Sequence, residues 1–192
     1  MKKFTLLTAL LMLLALAVSA QAEEAKQYAE PRIAVGMGYN AMYDPSDARD
    51  YAMLFGSILF DYDQVWPHAA PAPLYFRVEG GLGASTEKNA KLHATANMFA
   101  VYYLDEWFPS WAKAGVKPYA EAGVGLLYRD YTVDGQGLRI NFSPQIGLGT
   151  DVQWNEDITT YFSVRLHHSS NAGLNSDNRG TNGVLFQMGY YY

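Results

Sequence analysis

The sequence predicts an all-β protein, an eight-stranded antiparallel transmembrane β-barrel, and three observations carry the prediction. The first residues are built like a secretory signal, apolar side chains then recur with period two through segments of roughly ten residues, and the chain stops on an alternating segment that ends in an aromatic. Of the 192 residues, 49% are hydrophobic and only 17% charged, too apolar for a disordered chain and low in charge for an ordinary soluble domain. That length holds one domain or at most two small ones.

Taken in order, the first element stands outside the fold. Lys2 and Lys3 precede an uncharged apolar run from Phe4 to Val18, which Ala20, Gln21 and Ala22 follow. A basic start, an apolar centre and a small-residue end make residues 1–22 a signal peptide, with the barrel over 23–192. No cysteine follows the cut, which excludes a lipid anchor, a disulfide scaffold, a thiolate zinc site and a cysteine nucleophile. The formal charge of −5 argues against nucleic acid as a partner, because phosphates call for a basic face.

Past Ala22 no apolar stretch reaches the roughly 18 residues of a membrane helix. Strands are expected instead over Arg32 to Ala41, Tyr51 to Tyr62, Leu74 to Ser85, Leu92 to Tyr103, Tyr119 to Tyr128, Leu138 to Val152, Ile158 to Ser170 and Val184 to Tyr192. The alternation is cleanest in the sixth, where Leu138, Ile140, Phe142, Pro144, Ile146, Leu148, Thr150 and Val152 oppose Arg139, Asn141, Ser143, Gln145, Gly147, Gly149 and Asp151. In the third, Leu74, Phe76, Val78 and Leu82 oppose Tyr75, Arg77, Glu79, Gly81, Gly83 and Ser85.

A soluble sandwich produces the same stripe, and three features decide for the membrane. The non-apolar face is rich in glycine and sets Arg77 beside Glu79, as a narrow, side-chain-filled lumen requires. Aromatics collect at strand ends, where interfacial girdles belong: Tyr39, Tyr43, Tyr51, Tyr62, Trp66, Tyr102, Tyr103, Trp107, Tyr128 and Trp154. Val184, Phe186, Met188, Tyr190 and Tyr192 then close the chain as a terminal strand resembling the insertion signal of bacterial outer-membrane proteins. The expected location is therefore the outer membrane of a Gram-negative bacterium. With both ends periplasmic, the outer loops are Met42 to Asp50, Thr86 to Lys91, Arg129 to Gln136 and Asn171 to Gly183. The periplasmic connections are Asp63 to Pro73, Leu104 to Pro118 and Gln153 to Asp157. The middle one is expected to hold a short interfacial helix anchored by Trp107, Phe108 and Trp111.

Candidate chemistry sits at the top of the seventh strand. In phase with Ile158, Thr160, Phe162, Val164 and Leu166 come His168 and Ser170, both facing out of the barrel. A histidine and a serine two apart on one face are close enough to act as base and nucleophile. Asn182, in phase with Val184, Phe186 and Met188 on the neighbouring strand, is placed to hold the histidine's far nitrogen. Read without its surroundings, the pair fits polar residues at a barrel rim better than a catalytic pair.

The run HSSNAGLNSDNRG, His168 to Gly180, followed by a terminal strand, resembles the signature of the PagL-type outer-membrane lipid A 3-O-deacylases; KPYAEAGVGLLY, Lys117 to Tyr128, is similar to that family's fifth strand. The resemblance implies a serine hydrolase site on the lipid-facing wall that removes the ester-linked acyl chain at position 3 of lipid A. It makes Ser170 the nucleophile and His168 its base, with Asn171, Gly173 and Asn178 shaping the site or its oxyanion hole. It departs at Asn182, where the family pattern has glutamate, leaving Asp177 as another candidate orienter. Arg129, Arg165 and Arg179 are candidate contacts for lipid A phosphates, with Arg165 turned inward by parity and Arg179, in the site loop, preferred.

Lipopolysaccharide and outer-membrane lipid are the implied partners, with a homodimer admitted and no cofactor or metal expected. His167 and His168 face opposite ways and cannot share a metal. His167, His93 with Thr95 and Asn97, and Glu121 read as lumen filling, and Arg77 with Glu79 as a structural lumen pair. The competing class is a non-catalytic small barrel of adhesin or structural type.

Overall fold

In the computed structural model, which describes residues 29–41, 49–86 and 89–191, the chain closes into one antiparallel barrel of strands β1 to β8 in sequence order, sealed by pairing of β1 with β8. The strands are β1 Ala29–Ala41, β2 Arg49–Asp61, β3 Leu74–Ser85, β4 Leu92–Tyr103, β5 Val116–Arg129, β6 Ile140–Gln153, β7 Thr159–Ser169 and β8 Thr181–Tyr191. The eight expected strands are present, with ends displaced by a few residues. The expected signal peptide and Tyr43 lie outside the described residues.

Alternation builds the wall because successive side chains leave a strand on opposite faces. Ile33, Val35 and Met37 on β1, Leu54 on β2, Val78 and Leu82 on β3, Ile146 and Leu148 on β6, and Phe186 and Met188 on β8 all stand exposed on the outside. So broad a belt of uncovered apolar side chains is stable only against hydrocarbon, and closure leaves no strand edge there without hydrogen-bond partners.

The bore is packed. Arg165 donates to both oxygens of Glu79 at 2.6 and 2.8 Å, and its Nε donates to Glu121 at 2.6 Å. Arg77 donates to the other Glu121 oxygen. Both guanidinium groups lie over the Phe99 ring, at 4.8 Å for Arg77 and 4.4 Å for Arg165. Two cations and two anions thus neutralise one another, which is what burial of charge requires. The expected Arg77–Glu79 pair is corrected here: side chains two apart on one strand face point in parallel, and each finds its partner across the lumen instead. Nearer the chain termini, Asp151 accepts from Arg32 at 3.1 Å, Tyr103 at 2.5 Å and Tyr191 at 2.7 Å. That cluster joins β6 to β1, β4 and β8, across the closing seam.

Two expected girdle residues turn inward. Tyr51 is buried with Met53 and Phe55 in an apolar lumen cluster, its hydroxyl 2.9 Å from His167 Nε2, and Tyr103 serves Asp151. Lumen glycines make room for such rings: Gly38 lies against Tyr51, and Gly149 against Tyr119. His167 and Glu121 are buried as expected, and His93 packs its ring 5.1 Å from Tyr51.

Two short helices occupy the other rim. In the β2–β3 connection, α1 (Tyr62–Val65) leads to Trp66, whose ring covers outward-facing Phe76 at 5.5 Å. In the β4–β5 connection, α2 (Pro109–Lys113) starts with Pro109 in its first turn, where the missing N–H costs nothing. Phe108 and Trp111 stack at 5.1 Å, and with Trp107 they remain exposed, as interfacial anchors do.

Candidate active site

The candidate residues gather at the rim opposite the helices, where β7 runs out between β6 and β8. Burial alternates along β7: Tyr161, Ser163, Arg165, His167 and Ser169 point inward, while Phe162, Val164, Leu166 and His168 point outward. His168 is register partner to Asn182 of β8, and its Nδ1 lies 2.8 Å from Asn182 Oδ1. A carbonyl oxygen only accepts, so Nδ1 is the donor in this bond, and in the neutral ring the lone pair is then on Nε2. Asn182 therefore sets the tautomer that a base acting through Nε2 needs. Gly180 passes that nitrogen so closely that a Cβ there would stand 3.0 Å from Nε2 and 2.7 Å from Cε1.

Ser170 follows β7 by one residue, so the strand ends just short of its expected limit. It is held by a single bridge to β6, with Ser170 N–H donating to the Phe142 carbonyl at 3.0 Å and Phe142 N–H donating back at 2.8 Å. The outward direction of Phe142 is thereby shared by Ser170, which is half-buried. Among the described residues no hydrogen bond joins Ser170 Oγ to His168. The two stand one strand repeat apart on the same face.

Beyond Ser170 the chain turns through Ala172 at φ 53° and Gly173 at φ 80°. Ala172 is the one non-glycine residue with positive φ among those described, and such strain is held only where surroundings enforce it. The enforcement comes from buried Asn171. Its Oδ1 accepts from Gly173 N–H at 3.0 Å, its Nδ2 donates to the Asp177 carbonyl at 2.7 Å, and its own N–H donates to Asn178 Oδ1 at 2.7 Å. Asn171, Gly173 and Asn178 thus fix the loop through one another, and the amides of Asn171 and Gly173 are committed within it. Ala172 N–H has no hydrogen-bond partner among the described residues.

Asp177 lends its backbone to this loop, and it is Asn182 that meets His168 Nδ1. Arg179 lies exposed in the same loop. Arg129 is corrected as a phosphate contact. It belongs to β5 rather than an outer loop, is 2% exposed in the lumen, and donates to Thr181 Oγ1 at 2.8 Å. Arg165 is likewise buried, as parity required. Gly180 was missed in the sequence as a contact of the histidine; its only signal there is that a glycine closes the HSSNAGLNSDNRG run. No group of three or more His, Cys, Asp or Glu side chains suited to a metal occurs among the described residues.

Fold and rim together define a small transmembrane barrel with a serine, a histidine and an asparagine on its outer wall. The sequence profile of the lipid A 3-O-deacylase (PagL) family matches residues 74–191. More than half the chain is matched, and the chain belongs to that family. No curated protein matches it in sequence. Among solved structures it is similar to the outer membrane enzyme PagL, at 21% identity over 82% of this chain and 97% of that one, with a TM-score of 0.60. It is also similar to Neisserial surface protein A (NspA), at 10% identity over 85% of this chain and 97% of that one, with a TM-score of 0.57. At these identities the likenesses speak for the barrel fold.

Proposed function

We propose that the protein is a lipid A 3-O-deacylase in which Ser170 is the nucleophile, His168 its general base and Asn182 the residue that orients the base. The observation that carries this reading is the 2.8 Å contact of Asn182 Oδ1 with His168 Nδ1 on the outward face, leaving Nε2 toward the end of the strand where Ser170 follows. Family membership supports lipid A as the substrate, and the bond proposed to react is the ester of a 3-hydroxyacyl chain near the headgroup of the outer leaflet.

Substrate then arrives by lateral diffusion and needs no route through the barrel. His168 Nε2 takes the Ser170 hydroxyl proton as Oγ attacks the ester carbonyl. The tetrahedral oxyanion is met by amide donors of the loop, for which Ala172 N–H is free. Collapse passes the proton from His168 to the sugar oxygen that leaves, and a water activated by the same imidazole releases the fatty acid from Ser170. Arg179, in the site loop, is the proposed contact for a lipid A phosphate. Asn171, Gly173 and Asn178 keep the loop in shape, with the left-handed turn as the strained element they hold.

Mass spectrometry of lipid A from cells expressing the chain tests the proposal. Loss of one 3-linked hydroxyacyl chain, abolished by Ser170→Ala and by His168→Ala, is the expected result. Unchanged lipid A in cells carrying folded wild-type barrel returns the chain to the non-catalytic class, a reading that draws on the neutral Asn182 at the orienting position.

A further inference from the structure

The loop between β5 and β6, residues 130–139, enters no step above, yet it touches the chain on both sides of Ser170. The contact centres on Gln136, which is 2% exposed although it lies in an outer loop. Its Nε2 donates to the carbonyl of Ser169, the residue before Ser170, at 3.0 Å and to Asn141 Oδ1 at 2.9 Å. Its backbone forms an antiparallel bridge with Asn178, flanked by Gly137 N–H donating to the Asp177 carbonyl at 2.8 Å and Arg179 N–H donating to the Gly135 carbonyl at 2.7 Å. Asn178 and Asp177 are in turn the residues that hold Asn171, immediately after Ser170, at 2.7 Å each. One side chain and one bridge therefore fix Ser169 and Asn171, leaving Ser170 between two clamped neighbours.

This matters because Ser170 lies past the end of β7 and pairs with β6 through a single bridge. A residue at a fraying strand end samples many conformations unless tied down. Reaction needs its oxygen within a fraction of an ångström of its working position. The amide of Gln136 is a firm clamp, since both donor hydrogens are used and its planar group is locked by Asn141, whose own Nδ2 donates to the Leu138 carbonyl at 2.9 Å.

We propose that Gln136 is a positioning residue for Ser170, so that the 130–139 loop is part of the active site although it offers no group to the substrate. The inference rests on the assignment of Ser170 as nucleophile. Removing the amide frees the Ser169 carbonyl, on one side of Ser170, while leaving the backbone bridge to Asn178 and the outer wall, where lipid docks, untouched. The expected signature is a loss in kcat and in nucleophile reactivity without a matching change in KM.

The test uses the full-length barrel purified in detergent, with two readouts: lipid A turnover, and the rate of Ser170 labelling by a small fluorophosphonate in the absence of lipid. Gln136→Ala is expected to slow labelling and kcat by about 10- to 100-fold, with KM within about twofold. Gln136→Met keeps the length but has no hydrogen to donate, and is expected to behave like the alanine variant; it decides the matter if Gln136→Ala does not fold, as judged by heat-modifiable migration on gels. Labelling and kcat within about twofold of wild type in either folded variant overturn the inference, as does a loss confined to KM. If wild-type protein is inert to both lipid A and the fluorophosphonate, the deacylase assignment falls and this inference falls with it. An active wild type beside unaffected variants removes Gln136 alone.

Discussion

Replacing Gly180 by alanine probes the histidine without touching any group assigned to chemistry. Gly180 sits at φ 73°, a region that costs an L-residue with a Cβ about 1–2 kcal/mol. The added methyl would stand 2.7 Å from His168 Cε1, and ordinary contact begins near 3.4 Å, so the ring retreats by about 0.7 Å. Retreat stretches the 2.8 Å bond to Asn182 and carries Nε2 away from the rim. Misplacement of a reacting group by about 1 Å costs on the order of 100-fold, so kcat for lipid A is expected to fall by about 10- to 100-fold, with stability lower by about 1–2 kcal/mol. The assay is a time course of lipid A mass spectra from cells with matched amounts of folded barrel. Deacylation at the wild-type rate by folded Gly180→Ala would refute the claim that His168 works from its observed position.

Restoring a carboxylate with Asn182→Glu places a full negative charge beside the imidazolium; a charge-assisted bond gaining about 1.4 kcal/mol raises kcat about tenfold, whereas Asn182→Leu lowers it, and unaltered rates in both variants remove Asn182 from the site. Within the lumen, Glu79→Gln leaves Arg165 with half its compensation, and breaking a buried pair costs about 3–5 kcal/mol. The guanidinium unfolding midpoint in detergent should drop accordingly, while folded protein keeps its lipid A activity; an unchanged midpoint argues against the ion quartet as a stabilising element. Single substitutions Trp107→Ala and Trp111→Ala are expected to leave turnover within about twofold, since both side chains lie at the opposite rim, and a large loss in either would place part of the site there.

The barrel was legible because lipid imposes one rule on every second residue of a strand, and that rule survives whatever fills the other face. Strand β7 shows it well: Phe162, Val164, Leu166 and His168 keep their phase to the rim. Partners across the bore were not legible. The choice of Glu121 by Arg77 and of Glu79 by Arg165 depends on how eight registers bring distant strands together, separations of 44 and 86 residues. Tyr51 and Tyr103 misled for a related reason: an aromatic near a strand end looks the same whether it enters the interface or the lumen. On β2 the inner face itself carries Met53, Phe55 and Leu59, which blurs the alternation. Arg129 shares the phase of inward-facing Glu121 and Leu127, so parity applied to the last residue of β5 places it correctly. His168 and Asn182 followed from parity on two adjacent strands. Gln136 could not, because a hydrogen bond between two irregular loops leaves no period to detect.

The stopped bore has a consequence for the cell. Among the described residues, Arg77, Glu79, Glu121 and Arg165 interlock at one level of the bore and Asp151 is gripped by three donors at another, an arrangement expected to bar ions and antibiotics from the axis. Planar bilayers loaded with the purified protein should carry no steady current, and bacteria making it in quantity should stay as impermeable as before.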